Sequence, residues 1–327
     1  MSPFVSSSGP LRIVVLAGGE SAEREISRES GSAVTAALKQ RGHRVLQIDP
    51  AILALHEIPR NTDVILPMLH GTGGEDGSLQ RSLDRLGIPW FGSSAVVSER
   101  TFDKVATRKM LADAGLPVAA GVAVPCNASI RIMREASRQI GYPQVVKPAA
   151  QGSSVGISLV DSEREFDVAA AEAARWGTMI LIEKFVEGRE VTVPVVNGVP
   201  FPAIEIVPAA RWYNYAAKYT DEKTQYHVAP QNLPPQLSDI VLAACRVCEV
   251  HGISRTDLRI DSNGCPYILE INTIPGMTSH SLVPMSARAL GIGVGELCEQ
   301  LLLERLGRIP APSWTPRGVQ SSARDAA

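Results

Sequence analysis

Arg255-Thr-Asp-Leu-Arg-Ile-Asp-Ser-Asn-Gly-Cys-Pro-Tyr-Ile-Leu-Glu-Ile-Asn272 carries more information than any other stretch of the chain. Asn263-Gly264 stands between two alternating runs. Both residue types tolerate the positive φ of a type I′ turn, so the pair predicts a β-hairpin. Centred there, with Ser262 opposite Cys265, the register sets Asp257 against Glu270 and Arg255 against Asn272. Strand side chains alternate with period 2, so all four share one face. Like charges directly opposite repel, and the Asp257–Glu270 pair therefore calls for a cation. With the Asn272 amide oxygen it forms an all-oxygen donor set suited to Mg²⁺, which takes waters and phosphates as its other ligands. Leu258, Ile260, Ile268 and Ile271 predict that much of the hairpin is buried.

Composition sets the frame around this hairpin. A chain of 327 residues exceeds one ordinary core and predicts two or three domains. Hydrophobic content of 45% and charged content of 20% are those of a globular protein. A net charge of −2 offers no bulk attraction to nucleic acid or an anionic membrane. No apolar run approaches the ~20 residues of a membrane helix. Residues 1–10 lack the basic-then-apolar pattern of a signal peptide, so a cytoplasmic enzyme is expected. Five scattered cysteines argue against a disulfide framework. Cys245 and Cys248 fall in a helical pattern over 240–250 and read as buried helix cysteines.

Apolar runs at 11–16, 44–48 and 63–69 alternate with helical patterns, which implies a parallel α/β unit. Its two conspicuous loops, 18–23 and 70–77, lie beyond the strands' carboxyl ends, where such sheets bind ligands. The division expected is a disordered extension 1–10, an N-terminal α/β substrate domain 11–103, a central unit 104–188, a C-terminal unit 189–308 and a disordered Pro/Ser-rich tail 309–327.

Lys147-Pro-Ala-Ala-Gln-Gly-Ser-Ser-Val-Gly156 puts a lysine at a strand end before a small-residue loop. Such a loop can offer backbone N–H groups and hydroxyls to phosphates while the lysine supplies charge. It is neither a Walker A loop nor a Rossmann fingerprint. The segment 182–190 runs from an apolar strand into a charged connector; alone it reads as a solvated linker, although Glu190 could accept ribose hydroxyls and the backbone of 184–186 could read an adenine edge. Residues 212–226, with four tyrosines, read as a long functional loop. Pro275-Gly-Met-Thr-Ser-His-Ser281 reads as a turn before a helix, where N–H groups can hold a carboxylate.

In their order and spacing these segments resemble the D-alanine–D-alanine ligases of the ATP-grasp family. The match includes Gly18–Ser27, His70–Gln80, Asp103-Lys104, Lys147-Pro with 152–156, Lys218-Tyr219, Arg255-x-Asp257 and Leu269–Pro284, spanning roughly Ile13 to Leu306. The resemblance implies an α/β ATP-grasp fold: an N-terminal parallel α/β (pre-ATP-grasp) domain, then two α+β subdomains that sandwich ATP. It implies ATP- and Mg²⁺-dependent joining of two D-alanines through an acyl phosphate, for peptidoglycan precursor synthesis. Asp257, Glu270 and Asn272 would then hold two Mg²⁺, or Mn²⁺ in their place. Lys104, Lys147 and Ser154 would bind phosphates, and Glu183, Lys184, Val186 and Glu190 adenine and ribose. Glu23, Ser153 and Tyr219 would form a trio that positions the first D-alanine, near His70 and Lys218. Arg255 and the Gly276 N–H would stabilise the tetrahedral intermediate; Ser281 and Leu282 would bind the second substrate's carboxylate.

The family usually carries Glu where Gln151 stands. Tyr219 favours an amine second substrate, since ester-forming relatives carry Phe there. D-lactate or D-serine as second substrate, or a non-catalytic ATP-binding regulator, are the alternative readings. Partners are expected to be small molecules, without nucleic acid or membrane, and the family analogy implies a homodimer.

Overall fold

The structure, a computed structural model, describes residues 9–209, 211, 212, 223–312 and 314. Three sheets organise it. In the first, β1 (Arg12–Leu16) lies between β2 (Arg44–Ile48) and β3 (Val64–Pro67), all parallel. A parallel strand is covered on both faces, and the unbroken apolar run Ile13–Leu16 follows from that. Val34 and Leu38 of helix α1 (Arg24–Gln40) pack with Ile13 and Val15, while Leu79 and Leu83 of α2 (Ser78–Leu86) pack with Val14 and Leu16. Helices α3 (Ala95–Phe102) and α4 (Lys104–Asp113) follow. The Asp103 carboxylate accepts the Val105 and Ala106 N–H groups at 2.8 and 3.1 Å, capping α4 and fixing where Lys104 begins it.

In the second sheet β4 (Gly121–Pro125), β5 (Gln144–Pro148), β6 (Ser158–Val160) and β7 (Met179–Lys184) pair antiparallel in the order β4-β7-β5-β6. Helices α5 (Ile130–Ile140) and α6 (Glu163–Ala174) close one face through Met133, Ala136, Phe166 and Ala170. The third sheet joins β8 (Arg189–Val196), β9 (Val199–Pro200), β10 (Ile204–Val207), β11 (Gln225–Val228), β12 (Ile253–Ile260) and β13 (Pro266–Asn272). Its order is β11-β10-β8-β12-β13, with β9 paired to β8. Helix α7 (Leu237–Val247) covers it, burying Leu237, Val241 and Ala244 against Val191, Val193, Leu258 and Ile260. Leu111 of α4 enters the same core. Helices α8 (Leu282–Ala289) and α9 (Val294–Arg305) return to the parallel sheet, where Val283, Leu297 and Leu301 join Leu11 and Ile13.

The hairpin forms, but by a different turn. Asp261 N–H donates to the Cys265 carbonyl at 3.0 Å, so three residues, not two, make the loop, and Ser262 does not face Cys265. Only Gly264 takes positive φ, at 79°, and the Asp261 carboxylate accepts the Asn263 and Cys265 N–H groups. That loop shifts the register by one, pairing Ile260 with Pro266 and Leu258 with Ile268. A β-bulge at Leu269 shifts it back, so Asp257 faces Glu270 and Arg255 faces Asn272, as the sequence predicts. The bulge has a physical reason. Ile268 and Ile271 stand three apart, yet both lie in the core with Leu258 and Ile260; strict alternation would expose one of them.

Two other expectations are met differently. Within the stretch 309–327, the described Trp314 is buried with its ring edge-on to Phe201, centroids 5.6 Å apart. The helical pattern at 240–250 starts earlier, at Leu237, and Cys245 and Cys248 are buried as expected. The bulge predicts that Ile268→Ala and Ile271→Ala each cost about 2–5 kcal/mol in chemical denaturation, the range for a buried Ile cut to Ala. A regular strand would leave one of the two nearly silent.

Candidate active site

Strand β12 presents Arg255, Asp257 and Arg259 on the face opposite the core, and the bulge brings Glu270 and Asn272 of β13 beside them. Asp257 is held from three sides. Arg255 donates Nε and Nη2 to its two carboxylate oxygens, both at 2.8 Å. Thr192 Oγ1 donates at 2.6 Å from β8, and Asn272 Nδ2 at 3.2 Å. Glu270 instead meets Lys104 Nζ at 3.1 Å. Each carboxylate thus has its own cation, which removes the repulsion between them. Among the described residues no three or more His, Cys, Asp or Glu stand ready to hold a metal; the oxygen donors here are two carboxylates and one amide.

The two lysines pair with carboxylates on different sheets. Lys104 Nζ also donates to the Gln151 carbonyl at 2.6 Å, which ties the Gly/Ser loop to the hairpin. Lys147, at the end of β5, pairs with Glu183 of β7 at 2.5 Å, and Arg108 approaches Glu183 at 3.5 Å. Lys147 and Glu183 are 5% and 6% exposed. Removing one member of such a pair strands the other charge and costs about 3–5 kcal/mol. A ligand that draws Lys147 away must therefore supply an equivalent charge.

Three loops meet above the hairpin. Gly152 O accepts the Val155 N–H at 3.0 Å, with Ser153 and Ser154 at φ 47° and 59°. This tight turn delivers the Ser153 hydroxyl as a donor to Glu23, the residue before α1. A Cβ on Gly152 or Gly71 would overlap the Glu23 carboxylate, so either substitution would displace that side chain. A Cβ on Gly156 would meet the Trp176 indole at 2.6 Å, and Gln151 Nε2 donates to the Trp176 carbonyl at 3.3 Å. Gln151 is thus turned to backbone behind the loop. The cleft below is lined by Glu75, Lys104, Gln151, Gly152, Glu270 and Asn272.

His70 is buried between carbonyl and hydroxyl. Its Nδ1 donates to Ile274 O at 2.9 Å, which leaves Nε2 to accept from Ser30 Oγ at 3.3 Å. Ser30 Oγ in turn accepts the Met277 N–H at 3.1 Å. The chain fastens the segment 274–277 to α1, and burial pulls the imidazole down to about 4, so the ring is neutral at pH 7. Ser281 Oγ accepts the Thr278 N–H at 3.0 Å, and Gly276 lies so near it that a Cβ would meet Oγ at 2.8 Å. The Leu282 side chain is core, packed with Ile204 and Ile206.

The connector 182–190 is not a solvated linker. Phe185 is buried, and the Arg259 guanidinium lies over its ring at 4.7 Å. Lys184 Nζ donates to Tyr142 O at 2.7 Å, and Glu190 pairs with Arg259 at 2.9 Å. Arg259 and Glu75 were missed as site residues. Arg259 was visible in the 255/257/259 alternation; Glu75 lies in the glycine-rich loop without a partner in sequence to mark it. Lys218 and Tyr219, with most of the loop 212–226, fall outside the described residues.

Two antiparallel sheets share this cleft beside a parallel α/β unit, and that arrangement is the ATP-grasp fold. Comparison with known proteins narrows it. The family profile described as D-ala D-ala ligase C-terminus matches residues 110–303. A D-alanine–D-alanine ligase of Alkalilimnicola ehrlichii is 42% identical over 302 residues, 90% of this chain and 94% of the relative. A D-alanine–D-alanine ligase B of Xanthomonas campestris is 41% identical, covering 90% and 95%. The crystal structure of D-alanine–D-alanine ligase from Bacillus anthracis complexed with ATP superposes with a TM-score of 0.78 at 31% identity, covering 92% of this chain and 98% of that one. The chain belongs to the D-alanine–D-alanine ligase family.

Glu75 supplies a test of the cleft's electrostatics. Burial, then the nearby Glu23, push its carboxyl from an ordinary 4.5 up to about 8, against the Gly71 N–H that donates to it at 2.8 Å. A raised carboxyl is stabilised by folding in its protonated form. That contribution is whole below the ordinary value and is lost as pH climbs through the folded one. Glu75→Gln should therefore gain stability relative to wild type between about pH 5 and about pH 8.5, read as unfolding midpoints. An unchanged difference at the two ends would refute the burial argument.

Proposed function

We propose that this chain joins two D-alanines into D-alanyl-D-alanine at the expense of ATP, providing a precursor for peptidoglycan. The observation that supports the reading is one cleft lined by Glu270 and Asn272 from the hairpin, Lys104 from α4 and Gln151 and Gly152 from the Gly/Ser loop, with Asp257 bonded to Asn272 and Glu23 bonded to Ser153. In this reading the first D-alanine carboxylate attacks the γ-phosphate, giving an acyl phosphate and ADP. The second amine attacks that acyl carbon, and phosphate leaves.

Negative charge builds in both transition states, so cations and directed N–H donors supply most of the catalysis. Lys104 and Lys147, each already facing a carboxylate, take the phosphates in exchange. Glu183, Lys184, Val186 and Glu190 hold adenine and ribose, and Ser154 serves the phosphates. Glu23 and Ser153, with Tyr219, position the first D-alanine near His70 and Lys218. Arg255 and the Gly276 N–H meet the tetrahedral oxyanion, while Ser281 and the backbone of Leu282 hold the second carboxylate. Asp257, Glu270 and the Asn272 amide oxygen fit Mg²⁺ or Mn²⁺, two ions of which would neutralise the polyphosphate and orient it. Closure of the Gly/Ser loop keeps water from the acyl phosphate.

Residues 11–103, 104–188 and 189–308 serve in this reading as substrate domain, central subdomain and catalytic subdomain. No described helix is long and apolar enough to cross a membrane. A cytoplasmic homodimer acting on small molecules is the corresponding proposal.

Phosphate release from ATP and Mg²⁺ is expected only with D-alanine, not L-alanine, with the dipeptide seen by mass spectrometry. Offered D-serine or D-lactate in competition, the enzyme is expected to keep making D-alanyl-D-alanine. Asp257→Asn should lower turnover by about 10²–10³-fold, the scale of losing one charge-stabilising group. A near-wild-type rate from that variant would sink the metal reading.

A further inference from the structure

Arg259 makes more contacts than a salt bridge needs. It is 8% exposed, although it stands on the cleft face of β12. Nε donates to the Val186 carbonyl at 2.6 Å, Nη2 to the Gly188 carbonyl at 2.9 Å, and Nη1 to Glu190 Oε2 at 2.9 Å. The guanidinium plane lies over Phe185. One side chain thus engages four residues of the connector 185–190. Its planar fork spreads the donors over three nitrogens, whereas a lysine carries its three donors on one nitrogen and has no plane to lie over Phe185.

The connector is also pressed onto β12 through its backbone. Gly188 approaches the Ile260 carbonyl so closely that a Cβ has no room there, and its φ of 140° suits glycine alone. β8 and β12 pair Glu190 with Arg259 in register. Burial lowers the Arg259 pKa from its ordinary value, and Glu190 opposes that. The energetic sense is that of a buried cation retained because it is satisfied on every side.

We infer that Arg259 is a positioning residue for the nucleotide: it fixes the Glu190 carboxylate for the ribose hydroxyls and, by occupying the Val186 carbonyl, sets the face of the connector that the base meets. The inference rests on the ATP-dependent reading above. It separates two kinds of energy. Interactions with ribose and base are made equally in ground and transition states, so their loss raises KM and spares kcat. Arg259 touches neither the Asp257–Glu270 pair nor the Glu23–Ser153 contact, so steps on the amino acids should not feel it.

The test compares wild type, Arg259→Met and Arg259→Lys in the full chain. Arg259→Met is expected to raise KM for ATP about tenfold or more, the scale of hydrogen bonds to a charged group, with kcat at saturating ATP and KM for D-alanine changed less than about twofold. Arg259→Lys, able to restore only the Glu190 pair, should fall between. The decisive readout is ribose discrimination. Calorimetric titration with ADP and with 2′,3′-dideoxy-ADP should give a wild-type preference for the ribose form, and Arg259→Met and Glu190→Gln should both erase most of it. Equal weakening of both nucleotides, with the preference intact, would make Arg259 merely structural and overturn the inference. So would an unchanged KM for ATP. Wild-type protein that binds ADP but makes no dipeptide would overturn the ligase reading alone, because the binding comparison still decides Arg259. A wild type without nucleotide affinity would overturn both.

Discussion

Ile268 and Ile271 are buried in one core although they stand three residues apart on one strand, and the extra residue at Leu269 permits it. The same bulge turns Glu270 and Asn272 into the cleft beside Asp257. Core and site are therefore decided by one irregularity. A bulge costs a ladder hydrogen bond and twists its strand, and here the cost is offset by a second buried isoleucine. The chemistry of the hairpin follows from where its hydrophobic residues can go.

Charges in and around the cleft are stored as pairs. Arg255 lies with Asp257, Lys104 with Glu270, Lys147 with Glu183, and Arg259 with Glu190. An unpaired charge in so buried a place would be costly, and each pair avoids that cost. The pairs differ in what a polyphosphate would do to them. Lysine ammonium groups are point charges on flexible stems, suited to exchanging one oxyanion for another, whereas an arginine's planar fork is matched in geometry to its partners. Lys104 and Lys147 each offer a single ammonium to a carboxylate, while Arg255 grips both oxygens of Asp257 and Arg259 holds three acceptors.

Much of this was legible from residues alone. Alternation around Asn263-Gly264 delivered the pairing of Asp257 with Glu270, although two compensating one-residue shifts lay hidden in between. Turn chemistry hid the first: Asp261 accepts two N–H groups and draws itself into the loop. The second was written in the spacing of Ile268 and Ile271, since a period of 2 cannot bury both. Phe185 was read as part of a solvated connector because its partner, Arg259, lies more than seventy residues on. Glu23 and Ser153, 130 residues apart, meet through a tertiary arrangement that no local pattern encodes, and only the family resemblance joined them. Trp314 buries itself against Phe201 inside a stretch whose composition reads as disordered; a single large ring outweighed its polar neighbours.

Trp176 rounds off the Gly/Ser loop from behind: Gly156 lies against its indole, and Gln151 grips its carbonyl. The indole is part-buried, so its exposure depends on how the loop packs against it. Its emission would therefore shift with the loop. The chain holds four tryptophans, so replacing the other three would leave Trp176 as a built-in fluorescent reporter of how the Gly/Ser loop packs.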